Sequence, residues 1–140
     1  HSGFIDFSWE KREAVSYIEK LRIKTPSDSA VIKNLSGGNQ QKVVIAKWLL
    51  AKSKILIMDE PTRGIDVNAK AEIYELMKNY VEEGGSIILV SSELPEVLGC
   101  SNRIMVMREG YVTGFLDSAE ATEENVMLFA SKENEEVAYE

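Results

Sequence analysis

Apolar residues recur at helical spacing early in the chain. Ala14, Ile18 and Leu21 share one face of a segment whose other positions include Glu10, Lys11, Arg12 and Glu19. That pattern predicts an amphipathic helix over about residues 9–22, capped by Ser8. Thr25-Pro26-Ser27-Asp28-Ser29 interrupts it, because Pro26 disfavours helix at Thr25 and short polar side chains bond their own backbone. Helical spacing returns after Gly38, where Ile45, Trp48 and Leu49 predict a helix over 39–52 that leaves Lys42 and Lys52 to water.

The period then changes. Ile55-Leu56-Ile57-Met58 and Ser86-Ile87-Ile88-Leu89-Val90 are short unbroken apolar runs, the pattern of buried parallel strands. Between them Ile73, Met77, Tyr80 and Val81 keep helical spacing over 67–83, and Gly84-Gly85 supplies a stop. Strand, helix, strand is a crossover unit, so the expected class is α/β. Residues 103–108 and 111–115 read as an antiparallel hairpin turning at Glu109-Gly110. Thr122 is placed to cap a closing helix through about Ala130. Beyond it, residues 132–140 form an acidic tail without periodicity, and His1-Ser2-Gly3 looks like the remnant of an expression tag.

Composition narrows the chemistry. With 140 residues, 44% hydrophobic and 28% charged, one domain is the default. A net charge of -7 argues against nucleic acid as a partner through a basic face. No apolar run approaches the roughly 18 residues of a spanning helix, so a cytoplasmic chain is expected. Cys100 is the single cysteine and His1 the single histidine, which removes internal disulfides, thiolate metal sites and histidine acid–base chemistry.

Two segments carry candidate chemistry. In Asn34-Leu35-Ser36-Gly37-Gly38-Asn39-Gln40-Gln41-Lys42, paired glycines open a helix directly after a serine. Free amides and the positive dipole end of a helix attract phosphate, and glycines let the backbone approach it. A bare Ser-Gly-Gly is more often an ordinary cap with a tight turn. Further on, the strand at 55–58 ends in Asp59-Glu60-Pro61-Thr62, two acids at a carboxyl end where α/β sheets commonly place ligands. Asp59 suits magnesium held through water, and Glu60 suits polarising the water that attacks a γ-phosphate. An isolated Asp-Glu pair is ordinarily two solvated charges; the serine-glycine segment upstream changes that balance.

In combination these residues resemble the ATP-binding cassette family. Leu35 to Gly38 matches its signature, Ile55 to Glu60 its Walker B strand, and Gly64-Ile65-Asp66 stands where its D-loop passes between paired cassettes. Asp66 before Val67 is equally a helix N-cap, and both roles can hold. LSGGNQQK, DEPTRGID and SSELPEV together look like the second cassette of double-cassette importers for ribose and related monosaccharides, over about residues 21–130. The resemblance implies a partial P-loop NTPase fold: a parallel-strand core with flanking helices and a C-terminal antiparallel hairpin. Residues 4–131 would be the C-terminal portion of the nucleotide-binding domain, divided into a helical signature region at about 9–52 and a core at about 53–131. It implies ATP and Mg2+ as ligands, with Ser36, Gly37, Gly38 and Gln40 contacting the nucleotide of a second cassette in trans. It also implies membrane permease subunits as partners, a sugar-binding protein acting indirectly, and a peripheral place at the inner face of the membrane.

The sequence departs from the family in two places. Ser92 stands where the family carries the histidine that contacts the γ-phosphate, and a serine hydroxyl can supply only one uncharged donor there. No Gly-x-x-x-x-Gly-Lys-Ser/Thr string occurs in these residues, so they are expected to turn over no ATP alone and, with an uncovered sheet, to self-associate. The competing expectations are a soluble cassette ATPase of DNA repair or translation, and a regulatory cassette that binds without hydrolysing.

Overall fold

A computed structural model describes residues 6–131. The tag-like residues 1–3 and the acidic tail at 132–140 lie outside the described residues. The chain divides into two compact units, residues 1–88 and 89–140.

The first unit opens with α1 (Phe7–Lys20), capped by Asp6, whose carboxylate accepts from Ser8 N at 3.0 Å and Trp9 N at 2.9 Å. The expected cap at Ser8 is therefore corrected: a charged carboxylate two residues earlier is the stronger acceptor for the first-turn amides, and Ser8 lies inside that turn. The helix also stops short of Arg22. Arg22 takes a left-handed φ of 50°, its amide bonds Glu19 O at 3.1 Å, and Ile23 N reaches back to Ile18 O at 2.9 Å. This is a Schellman end without glycine, and it turns Ile23 into the core. A 3₁₀ turn at Ile32–Asn34, which no periodicity announced, leads to α2 (Gly37–Leu50).

β1 (Ile55–Asp59) and β2 (Ser86–Val90) pair in parallel around α3 (Val67–Glu82). The crossover closes tightly. Gly84 at φ 92° ends α3, and Tyr80 Oη donates to Ser53 O. A Cβ on Gly85 would fall 2.2 Å from the Tyr80 ring, so only glycine fits between that ring and the strand. Leu21, Ile23, Ile45, Leu56, Ala69, Ile73 and Met77 are buried, with Ile73 fully inaccessible. The strands are less covered than their unbroken apolar runs predict. Leu56 is buried, but Ile55, Ile57, Ile88 and Val90 are exposed among the described residues. In β1 the burial follows the period-two geometry of a strand, not its composition.

The second unit holds α4 (Leu94–Cys100), β3 (Arg103–Arg108), β4 (Tyr111–Asp117) and α5 (Glu123–Ser131). β3 and β4 form the expected antiparallel hairpin. Glu109 and Gly110 both have positive φ, 51° and 86°, which is the type I′ turn that matches strand twist. A register shift after Val106 leaves Thr113 as an extra residue on β4, and its hydroxyl donates to Val106 O at 3.3 Å. Ile104, Val106 and Val126 form the core, with Leu98, Leu116 and Phe129 packed around them. Thr122 and Asn125 cap α5 reciprocally, at 2.7 and 3.2 Å.

Candidate functional site

The N-terminus of α2 is the most distinctive polar feature of the first unit. Ser36 occupies the N-cap position with extended backbone, yet its side chain makes no capping bond to the helix. Its Oγ instead accepts from Asn39 Nδ2 at 2.8 Å. The ordinary-cap alternative for Ser-Gly-Gly is thus not what the serine does: its side chain leaves the first-turn amides of α2 uncapped. Gln40 is occupied beneath the turn: its Nε2 donates to Leu35 O at 2.7 Å, and its backbone N bonds Ser36 O at 2.9 Å.

Three contacts seat this turn on the start of α3. A Cβ on Gly37 would lie 3.7 Å from Ile65 Cγ2 and 3.9 Å from Gly64 O, so the Ser36–Gly38 turn and the Gly64–Asp66 loop are immediate neighbours. A Cβ on Gly38 would fall 2.5 Å from Ala69 Cβ, closer than two methyl carbons approach, so the helices meet there only because residue 38 has no side chain. One turn on, Lys42 Nζ pairs with Glu72 at 2.5 Å and bonds Arg22 O at 3.2 Å. The expectation that Lys42 faces water is therefore corrected: it is 2% exposed, drawn inward by a carboxylate and a carbonyl that sequence spacing does not bring together. Trp48, expected on the packed face of α2, is exposed and carries Lys47 over its ring.

Asp59 ends β1 on the surface and Glu60 follows it, half-buried, with a left-handed φ of 47°. That backbone starts the turn in which Arg63 N bonds Glu60 O at 3.2 Å, and it separates the directions of two adjacent acids. Asp66 caps α3 by accepting from Ala69 N at 3.0 Å, so the structural half of its expected double role is present. Ser92 lies in the second unit, exposed, within a turn in which Ser91 Oγ accepts from Glu93 N at 3.0 Å. No group of three or more metal-capable side chains occurs among the described residues. Cys100 is the one thiol. Burial, and secondarily the Glu96 carboxylate, push it above its ordinary value, which makes it a poor nucleophile.

Sequence reasoning singled out Ser36 to Gly38, Asp59, Glu60 and Asp66 as candidates, and the first unit brings the Ser36–Gly38 turn against the Gly64–Asp66 loop. It missed the hydrogen-bonding of Asn39 and the burial of Lys42. An amide three residues after an N-cap serine is a readable local signal for the first; the second has none, because Glu72 is distant in sequence.

The sequence pattern of the ABC transporter family matches residues 4–63, which include Ser36 to Gly38, Asp59 and Glu60. The chain belongs to the ABC transporter family. The ribose import ATP-binding protein RbsA of Clostridium tetani is 56% identical over 121 residues, 86% of this chain and 24% of its own length. RbsA 1 of Rubrobacter xylanophilus is 56% identical over 124 residues, 89% of this chain and 25% of its own. The chain thus spans about a quarter of the length of the curated relatives it matches. Among solved structures, the dimeric post-hydrolysis cassette MJ0796 bound to ADP and Pi superposes with a TM-score of 0.71 at 23% identity, over 84% of this chain and 51% of that one. The α/β cassette fold, with its parallel pair and antiparallel hairpin, is therefore the observed fold.

Proposed function

We propose that these residues supply the signature turn, Walker B acids and D-loop of an ATP-hydrolysing subunit that energises import of ribose or a related monosaccharide. The observation that carries this reading is the packing of Ser36–Gly38 against Gly64–Ile65 in a chain 56% identical to ribose import ATP-binding proteins. On this reading Ser36, Gly37, Gly38 and Gln40 belong to a nucleotide held by a second cassette. Asp59 holds Mg2+ through water, Glu60 polarises the attacking water, and Ser92 replaces the γ-phosphate contact. Permease subunits at the inner face of the membrane take up the work, and a sugar-binding protein selects the cargo. The described residues contain no helix long and apolar enough to cross a membrane. The 140 residues alone, without a phosphate-binding lysine loop, turn over no ATP and self-associate through uncovered sheet.

The two half-sites then differ in value. Ser36 serves the partner's nucleotide, whereas Glu60 serves one weakened by Ser92. In the intact importer, Ser36→Ala should reduce sugar uptake at least about tenfold, a loss of charge-assisted donation, and Glu60→Gln should reduce it less. Uptake assays giving equal losses would refute the asymmetry, and unchanged uptake in both variants would refute the site.

A further inference from the structure

Hydrogen-bond polarity around Ser36 assigns a task to a residue outside the nucleotide contacts proposed above. Lys24 N–H can only donate, and it points at Asn39 Oδ1 at 2.8 Å. That bond fixes the amide's orientation, which leaves the NH2 group facing Ser36 Oγ at 2.8 Å. An amide NH2 cannot accept, so Ser36 Oγ must be the acceptor, and the hydroxyl hydrogen is turned away from Asn39. Every step of the chain Lys24 N–H to Asn39 to Ser36 has one permitted direction. The result is a serine whose hydroxyl hydrogen is left to be donated elsewhere, beside helix amides that only donate.

We infer that Asn39 is a positioning residue for Ser36: it holds the hydroxyl in one rotamer with its hydrogen presented to an anionic acceptor, the terminal phosphate of a nucleoside triphosphate. A serine without this partner would spend part of its time donating to nearby carbonyls or water. The donor end of the chain is anchored in the segment that follows α1, so the serine's orientation depends on a residue 12 positions upstream of it as well as on its own helix. The inference rests on the reading of Ser36 as a phosphate donor.

A double-mutant cycle in the intact importer ATPase, assembled with its permease subunits, tests it. ATP turnover and KM are measured for wild type, Ser36→Ala, Asn39→Ala and the double variant, with circular dichroism melting to confirm folding. Asn39→Ala should lower kcat about fivefold, the rate equivalent of one net hydrogen bond, in the presence of Ser36. In the Ser36→Ala background it should change kcat by less than about 1.5-fold, because Asn39 acts through the serine. Additive losses would overturn the inference and leave the serine's own role intact. A Ser36→Ala variant with unchanged kcat and KM would overturn the donor reading, and the inference with it.

Discussion

Gly38→Ala probes the close α2–α3 contact. The new Cβ would start 2.5 Å from Ala69 Cβ, whereas methyl carbons settle at about 3.5–4.0 Å, so the helices must separate by an ångström or more. Forcing one extra methyl into such a contact costs about 1–3 kcal/mol, and better helix propensity returns up to about 1 kcal/mol. A net loss of about 1–2 kcal/mol, or roughly 3–6 °C in melting temperature, is expected. Gly37→Ala is the control. Its Cβ meets Ile65 at an ordinary 3.7 Å, and stability should change by no more than about 0.5 kcal/mol. Ala69→Gly placed in the Gly38→Ala protein removes the opposing methyl and should recover about 1 kcal/mol of the loss, less its own helix penalty. Thermal and urea unfolding followed by circular dichroism measure all four. Equal stability of the Gly37 and Gly38 variants, or no recovery with Ala69→Gly, would refute the contact. The same result would make Gly37→Ala the cleaner probe of nucleotide chemistry, since only Gly38→Ala disturbs the fold.

The buried Lys42 predicts an inverted ranking: Glu72→Gln strands an ammonium that is 3% exposed and should cost about 2–3 kcal/mol, whereas Lys42→Met, close in volume, should cost under about 1.5 kcal/mol in the same unfolding assay. Asp66→Ala removes the α3 cap and should cost about 1 kcal/mol, with Asp66→Asn recovering most of it in melting experiments. The raised Cys100 value means less thiolate than an unperturbed cysteine at any pH below it, so alkylation at pH 8 should lag a model peptide, and Glu96→Gln should speed it while leaving the larger burial effect. Mass-spectrometric rates that are unchanged by Glu96→Gln would show that the carboxylate does not act on the thiol.

What the sequence made legible was whatever depends on neighbours along the chain. The period change at Ile55, the Gly84 stop and the Glu109-Gly110 turn are all local, and each appears in place. Ser8 failed as a cap because Asp6, two residues earlier, offered a stronger acceptor, and a single-residue preference cannot rank competitors. α4 was missed because seven residues with Pro95 at the start show too little periodicity to detect, though proline is well suited to a first turn. Lys42 was misplaced for a different reason: its partners at Arg22 and Glu72 come from two other segments, and only the fold assembles them. The candidate site residues stood out because their spacing forms a motif; the contacts beneath them did not.

The backbone of Glu60 has an implication for how such a chain tolerates change. Arg22 and Lys52 take left-handed angles just past helix ends and Glu109 takes one in a hairpin turn, but Glu60 does so directly after a strand, beside the proposed chemistry. A side chain held there costs about 1 kcal/mol or more that glycine would not. Stability and chemistry therefore pull against each other at this position. Selection for a sturdier backbone alone would favour glycine and erase the carboxylate, so under the proposed role of Glu60 the left-handed geometry is what keeping an acid at this turn costs.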